Sequence, residues 1–338
     1  LIVLGIETSC DDTAVALVED CSTVLASVVS SQSVHEAYGG VVPELASREH
    51  LLKIHGTYAR CLEEAGAGPS DADAIAVTHG PGLIGSLLVG LSFAKGLAYA
   101  TGRPFVGVNH LEAHLMSHLP AGLACDYPYV GLIASGGHTE IVHVRDFEDY
   151  AVMGSTIDDA AGEAFDKIGV LLGLTYPAGA ALDALAESGD SQAVSLPAVR
   201  MKRAGKYDLS FSGLKTAVRK LIEAKAGSSG AVPDGYRADV AASFRRRVVT
   251  DLLERLFDAA RAVGAERVFL AGGVARNSLL RRSAAERGAE AGLEVLIPDP
   301  RFCSDNAAMT AALGTLKLRR GMRSSYSLDA FPTMGDLI

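Results

Sequence analysis

The sequence predicts an α/β protein built from a duplicated domain. Two observations carry this. An apolar strand, a small or glycine-rich turn and a second strand lead into alternating helix and strand units, and the whole order then repeats. With 49% hydrophobic and 21% charged residues, the 338-residue chain can also bury two cores, which excludes a mostly disordered polypeptide.

The first round opens with an apolar strand at residues 1–7, the polar turn Thr8-Ser9-Cys10-Asp11-Asp12, and strands at 13–19 and 24–32. A turn rich in hydroxyls and carboxylates between strands is one way to present backbone N–H groups to phosphate. Residues 43–66 carry a helical stripe of Leu51, Ile54, Tyr58, Leu62 and Ala65. A short buried strand at 74–77 ends in His79-Gly80-Pro81-Gly82, which opens a helix at 86–100 whose small residues permit close packing. A strand at 104–108 then delivers the chain to NHLEAHLMSHL, residues 109–119.

In a helix, positions four apart lie on one face, so His110 and His114 can share a metal ion. Two ordinary histidines on a common face have the same spacing. A zinc peptidase also needs Glu directly after the first histidine; Leu111 stands there, and Glu112 lies about 200° around the helix from His110.

The second round places a strand at 129–134, the turn Ser135-Gly136-Gly137-His138 and a strand at 139–144. Glycines suit a turn where backbone passes close to a ligand, although an ordinary hairpin reads the same way. Residues 155–172 are expected to form a capped helix with Asp158 and Asp159 serving its dipole and Asp166, further in, the better candidate for a ligand contact. A turn at Tyr176-Pro177-Ala178-Gly179 precedes a short helix bearing Asp183. In residues 192–213, Arg200, Lys202, Arg203 and Lys206 stand beside Tyr207 and Phe211, a mixture that suits RNA or a solvated loop. Helices at 213–226 and 236–263 follow, the second with Arg245, Arg246 and Arg247. A buried strand at 267–271 ends in Gly272-Gly273-Val274-Ala275-Arg276-Asn277, a strand-to-helix turn of the kind that seats phosphate, although it is not GxGxxG and no Walker lysine motif is present. After a last strand at 293–297, PRFCSDN introduces a final helix; Asp305 there reaches a metal or caps the helix.

Net charge is −9, which argues against a basic protein coating nucleic acid but leaves room for a local basic patch. Five scattered cysteines without a CxxC fit a reducing cytosol. The most apolar run, residues 83–100, is interrupted by Gly85, Ser86, Gly90, Ser92, Lys95 and Gly96, so no membrane span is expected. The opening LIVLGIE lacks a basic n-region and a cleavage site, so no signal peptide is expected, and Leu1 in place of an initiator Met suggests trimming or an artificial boundary. These features together place the expected location in the cytoplasm.

In order along the chain, GIETSCDDTAVAL, GGVVPELASREH, GPGLIGSLLVG, NHLEAH, SGGHTEIV, DDAAGEAFDK, FSGLKT, AGGVARN and CSDNAAM make a sequence that resembles the TsaD family, in its bacterial form, over essentially its whole length. The resemblance implies the actin/Hsp70/sugar-kinase (ASKHA) superfamily: two ribonuclease H-like domains with a nucleotide cleft between them. The expected division is residues 1–108, completed by 322–338, and residues 109–321 with the metal and nucleotide sites. The implied function is transfer of threonylcarbamoyl from threonylcarbamoyl-adenylate to the N6 amine of the adenosine 3′ of the anticodon in tRNAs reading ANN codons, releasing AMP. The resemblance also implies a divalent metal, Fe(II) ahead of Zn(II), on His110, His114 and Asp305. It implies adenylate or ATP contacts at Ile133, Ala134, Ser135, Gly136, Gly137, Asp166, Gly179, Asp183 and Asn277. Asp11 is the candidate for proton removal or for orienting the amine; a turn carboxylate bonded to its own backbone is the alternative. Implied partners are tRNA, a paralogous TsaB-like dimer partner, a TsaE-like P-loop ATPase, and a TsaC-like synthase that supplies the adenylate. At Asp12 the sequence departs from the family's commoner CDET. An ASKHA-type ATPase, a scaffold like the paralogous partner (which lacks the histidine pair) and a metallopeptidase are the competing readings.

Overall fold

The structure is a computed structural model and describes residues 1–197, 205–226 and 232–332. In chain order the elements are β1 (Ile2–Glu7), β2 (Asp12–Glu19), β3 (Thr23–Ser31), α1 (Pro43–Ala65), β4 (Ala74–Gly80), α2 (Ile84–Thr101), β5 (Phe105–Asn109) and α3 (His110–Leu115). Then come β6 (Tyr129–Ala134), β7 (Thr139–Asp146), β8 (Asp149–Ser155), α4 (Ala161–Leu171), α5 (Gly179–Ala186), α6 (Ser212–Ala226) and α7 (Asp234–Val263). Last are β9 (Arg267–Ala271), α8 (Ser278–Ala291), β10 (Glu294–Leu296) and α9 (Ala307–Arg319).

Two compact units divide the described residues: Leu1–Ala124 with residues 298–332, and Cys125–Ile297. The expected breaks at 108/109 and 321/322 therefore move to 124/125 and 297/298. The reason is packing: α3 follows directly from the sheet strand β5, and α9 lies along β1, β2 and β4, so the metal-site candidates belong to the first unit.

Each unit holds a five-stranded sheet with the same connectivity, β3-β2-β1-β4-β5 in the first and β8-β7-β6-β9-β10 in the second. The three leading strands of each unit pair antiparallel, and the remaining two add on in parallel. This is the ribonuclease H-like order, present twice. In the first unit, Ile54, Tyr58, Cys61 and Leu62 of α1 and Leu87, Leu91, Ala94 and Ala98 of α2 bury one sheet face against Leu4, Ile6, Val15 and Leu17. The other face takes α9, whose Ala- and Gly-rich surface lies so close that a Cβ on Gly5 would meet the Ala307 carbonyl. By length and composition α2 reaches the hydropathy of a membrane span; in this fold it packs on β4 and α1.

Four local expectations change. The inner face of α1 uses His50 and not Leu51, which is 69% exposed, because the His50 ring bonds Thr13 and the Cys10 carbonyl beneath the first turn. Residues 149–155 form a strand, β8, so α4 begins only at Ala161. Asp158, expected in its first turn, instead accepts from the Phe211 and Ser212 N–H groups and holds the start of α6. Phe211 is fully buried and is not available for base stacking; Arg200, Lys202 and Arg203 of the same basic stretch lie outside the described residues.

Candidate metal centre and nucleotide cavity

In the first unit β1, β4 and β5 run parallel, so their C-terminal ends meet on one edge, where open α/β sheets bind ligands. Glu7 ends β1, and Asn109 ends β5 and caps α3 by accepting from the Leu111 and Glu112 N–H groups. One helical turn then sets the His110 and His114 rings 4.7 Å apart, centroid to centroid. Helix α3 stops at Leu115 and does not run to 119, yet this single turn contains both rings. Asp305 arrives from the segment before α9. The cap of that helix is Asn306, whose side chain accepts from the Met309 N–H, so Asp305 is not the cap.

The Asp305 Oδ1 lies 3.1 Å from His114 Nε2 and 3.7 Å from His110 Nε2, and the ligand atoms of all three residues fall within 4.8 Å of one another. Two imidazole nitrogens and one carboxylate oxygen so arranged fit a divalent transition metal. The other edge of His110 is held: its Nδ1 is 3.1 Å from Glu7 Oε2 and 3.1 Å from Ser9 Oγ, which directs Nε2 toward Asp305. Glu7 is itself anchored by the Ser9 N–H at 2.6 Å and the Thr78 hydroxyl at 2.5 Å. Burial pushes the His110 pKa down, but Glu7 and then Asp305 outweigh it and raise it to about 9. Glu112 points elsewhere and pairs with Lys317 at 3.2 Å, so neither Leu111 nor Glu112 supplies a peptidase base.

Asp11 is half-buried in the β1–β2 turn. Its neighbour Asp12 is pushed up to about 7 by burial, opposed by a bond to Ser31 and reinforced by Asp305, Asp11 and Glu7. That concentration of negative charge is a field suited to a cation.

The second unit repeats the arrangement at the C-terminal ends of β6 and β9. A cavity of about 400 Å³ lies there, lined among others by Gly136, Gly162, Asp166, Gly179, Asp183, Gly273, Arg276 and Asn277. This volume is in the range of small-molecule sites, roughly 300–1,000 Å³. Gly272 has φ +86°, and a Cβ there would meet the Ala134 main chain, so only glycine brings this turn against the end of β6. Of the nine residues expected at a nucleotide, Gly136, Asp166, Gly179, Asp183 and Asn277 line the cavity. Ile133 and Ala134 are buried within β6, Ser135 closes the hairpin by donating its N–H to the His138 carbonyl, and Gly137 is exposed beside it.

Asp166 both lines the cavity and builds its wall. Its Oδ1 accepts from the N–H groups of Ala178 and Gly179, at 2.8 and 2.9 Å, and so fixes the start of α5 in the cavity wall. Sequence reasoning overlooked Glu7, whose signal is a carboxylate ending an otherwise apolar strand. It also grouped three arginines that the fold separates: Arg245 is buried, Arg246 exposed, and Arg247 pairs with Asp251. Arg245 holds the Glu187 carboxyl down to about 2 by hydrogen bonding, with help from Ser278.

Two ribonuclease H-like sheets of one connectivity give the chain the fold class of actin, Hsp70 and the sugar kinases. Solved structures agree at the level of fold: HypF from T. kodakarensis superposes with TM-score 0.59 at 16% identity over 94% of this chain and 48% of that one. The activator of 2-hydroxyisocaproyl-CoA dehydratase from Clostridium difficile gives 0.52 at 13% identity, covering 95% and 97%. Residues 23–312 match the family described as TsaD, tRNA N6-adenosine threonylcarbamoyltransferase. A curated enzyme of that name from Anaeromyxobacter dehalogenans strain 2CP-C is 51% identical over 333 residues, 98% of each chain; one from Thermodesulfovibrio yellowstonii is 47% identical, again covering 98% of each. The chain belongs to the TsaD family. Its reaction is transfer of a threonylcarbamoyl group to N6 of a tRNA adenosine, and a metal and a nucleotide-related substrate come with that membership.

Proposed function

We propose that the donor is threonylcarbamoyl-adenylate, that AMP leaves, and that the acceptor is the adenosine 3′ of the anticodon in tRNAs reading ANN codons. The observation that favours this over an ATPase or a scaffold is the convergence of His110, His114 and Asp305, for which neither alternative has a use. The second-unit cavity takes the adenosine and phosphate, with the backbone of Gly136 and Gly273 and the starts of α5 and α8 facing the ligand. The exocyclic amine is a weak nucleophile because its lone pair is delocalised into the ring, so positioning and activation of the acyl carbon carry the rate. A divalent ion on the triad, Fe(II) or Zn(II), supplies Lewis acidity toward a carbonyl or phosphate oxygen. Asp11, half-buried in the first turn, orients the amine or takes its proton.

tRNA is the acceptor partner, and a TsaC-like synthase supplies the adenylate. A TsaB-like paralogue and a TsaE-like ATPase complete the assembly. Leu51, Leu52, Leu88 and Tyr99 leave apolar surface exposed on α1 and α2 for a helical partner. The free state of the cysteines suits work in the cytoplasm.

The test is a transfer assay with the adenylate and unmodified tRNA, read by nucleoside mass spectrometry with and without partner subunits. His110→Ala should lower product at least about 100-fold with the melting profile kept, and bound metal should fall below stoichiometry. Full transfer by a metal-free His110→Ala chain would remove the metal from the reaction.

A further inference from the structure

Arg245, on α7, is 5% exposed and lies behind the wall of the second-unit cavity. Its Nη1 donates to Asp183 Oδ1 at 2.8 Å, to the Asp183 carbonyl at 3.0 Å, to Glu187 Oε1 at 2.6 Å and to Ser278 Oγ at 3.2 Å; Nη2 reaches the Ala186 carbonyl at 3.3 Å. The Asp183 carboxylate also accepts from Asn277 Nδ2 at 2.8 Å and from the Ser278 N–H at 2.9 Å. One guanidinium thus ties α5, through Asp183 and Glu187, to the start of α8. Asp183 and Asn277 line the cavity; Arg245 does not.

We infer that Arg245 is a positioning residue for the nucleotide: it fixes Asp183 and Asn277 in the cavity wall without touching the ligand. Asp183 on α5 and its C-cap Glu187 are four residues apart, and like charges at that spacing repel. The guanidinium between them pairs with both and offsets their repulsion. Its contacts converge on Nη1, with Nη2 adding the Ala186 carbonyl, so a shorter or differently placed cation cannot keep all of them at once. With Arg245 gone, Asp183 is free to turn toward water, and the Asn277 amide bonded to it loses its anchor. A phosphate-bearing ligand then meets an Asp183 carboxylate that has lost its cationic partner, while Glu187, outside the cavity lining, keeps Arg282 and the Ser278 hydroxyl. The inference rests on reading the cavity as the nucleotide site.

The experiment titrates AMP into the full chain by calorimetry for wild type, R245M, R245K, D183N and D183N/R245M, with steady-state transfer kinetics on the same proteins. R245M should weaken AMP about tenfold or more, with R245K in between, the scale of a lost charge-assisted contact. KM for the adenylate should rise while kcat stays within about twofold. In the D183N background the effect of R245M should shrink below about twofold, because residues acting through one another are not additive. AMP affinity unchanged in R245M, an equal loss in both backgrounds, or a loss confined to kcat overturns the inference. Should R245M not fold, R245K decides: weakened AMP binding with a cooperative melt supports the inference, and wild-type affinity overturns it. A wild-type chain that takes up no AMP removes the nucleotide reading itself and the inference with it, whereas wild-type uptake matched by the variants removes the inference alone.

Discussion

Glu7 decides which way the His110 ring faces. With Nδ1 held at 3.1 Å by a buried carboxylate, Nε2 is left to aim at Asp305, the carboxylate–histidine arrangement that raises ligand basicity and fixes the ring. Glu7→Gln keeps the size and one acceptor but removes the charge. We expect metal affinity to fall roughly 10–100-fold, measured by competition against a chromogenic chelator. Unchanged affinity would reduce Glu7 to a structural residue of the β1 edge. The turn that follows is supported from below by His50, which bonds both Thr13 and the Cys10 carbonyl, so the half-buried Asp11 sits on a braced loop.

At the level of elements, the proposed metal site is a problem of holding two distant pieces of chain at a fixed spacing. Helix α3 brings the histidines and the segment before α9 brings Asp305, nearly two hundred residues later. Glu112 and Lys317 connect the same two elements through an ion pair at 3.2 Å, with side chains only 13% and 10% exposed. Removing one partner of such a pair leaves a poorly solvated charge. Lys317→Met should therefore cost about 3 kcal/mol in urea unfolding, and the double variant Glu112→Leu/Lys317→Met should recover most of it. If the double variant is as weak as the single one, packing of the Lys317 stem, not the charge, carries the effect.

For the whole molecule, the repeat of one topology means that each unit offers a ligand edge of its own. The candidate metal triad lies in Leu1–Ala124 with the segment from Pro298, and the cavity proposed for the nucleotide lies in Cys125–Ile297. A ligand that binds only the folded state slows local opening where it sits. Hydrogen exchange should show Zn(II) protecting amides around α3 and the start of α9, and AMP protecting the starts of α5 and α8. Protection by AMP confined to residues 1–124 would contradict the assignment of the cavity.

Much of this was legible in one dimension. Period-two and period-3.6 apolar patterns marked most strands and helices, because burial of one face imposes them locally. Glycine turns after strands, and histidines one helical turn apart, are likewise short-range features that survive without a fold. What only the tertiary structure decided depends on residues far apart in the chain. Asp305 could be told from a helix cap only once Asn306 was seen capping and Asp305 was seen 3.1 Å from His114. Asp158 holds a helix some fifty residues downstream, and Arg245 meets Asp183 sixty-two residues upstream. His50 displaces Leu51 from the core face because a buried hydrogen-bonding partner awaited it on β2. The physical reason is common to all four: a charged or hydrogen-bonding side chain is placed by the partner that compensates its burial, and local sequence does not name that partner.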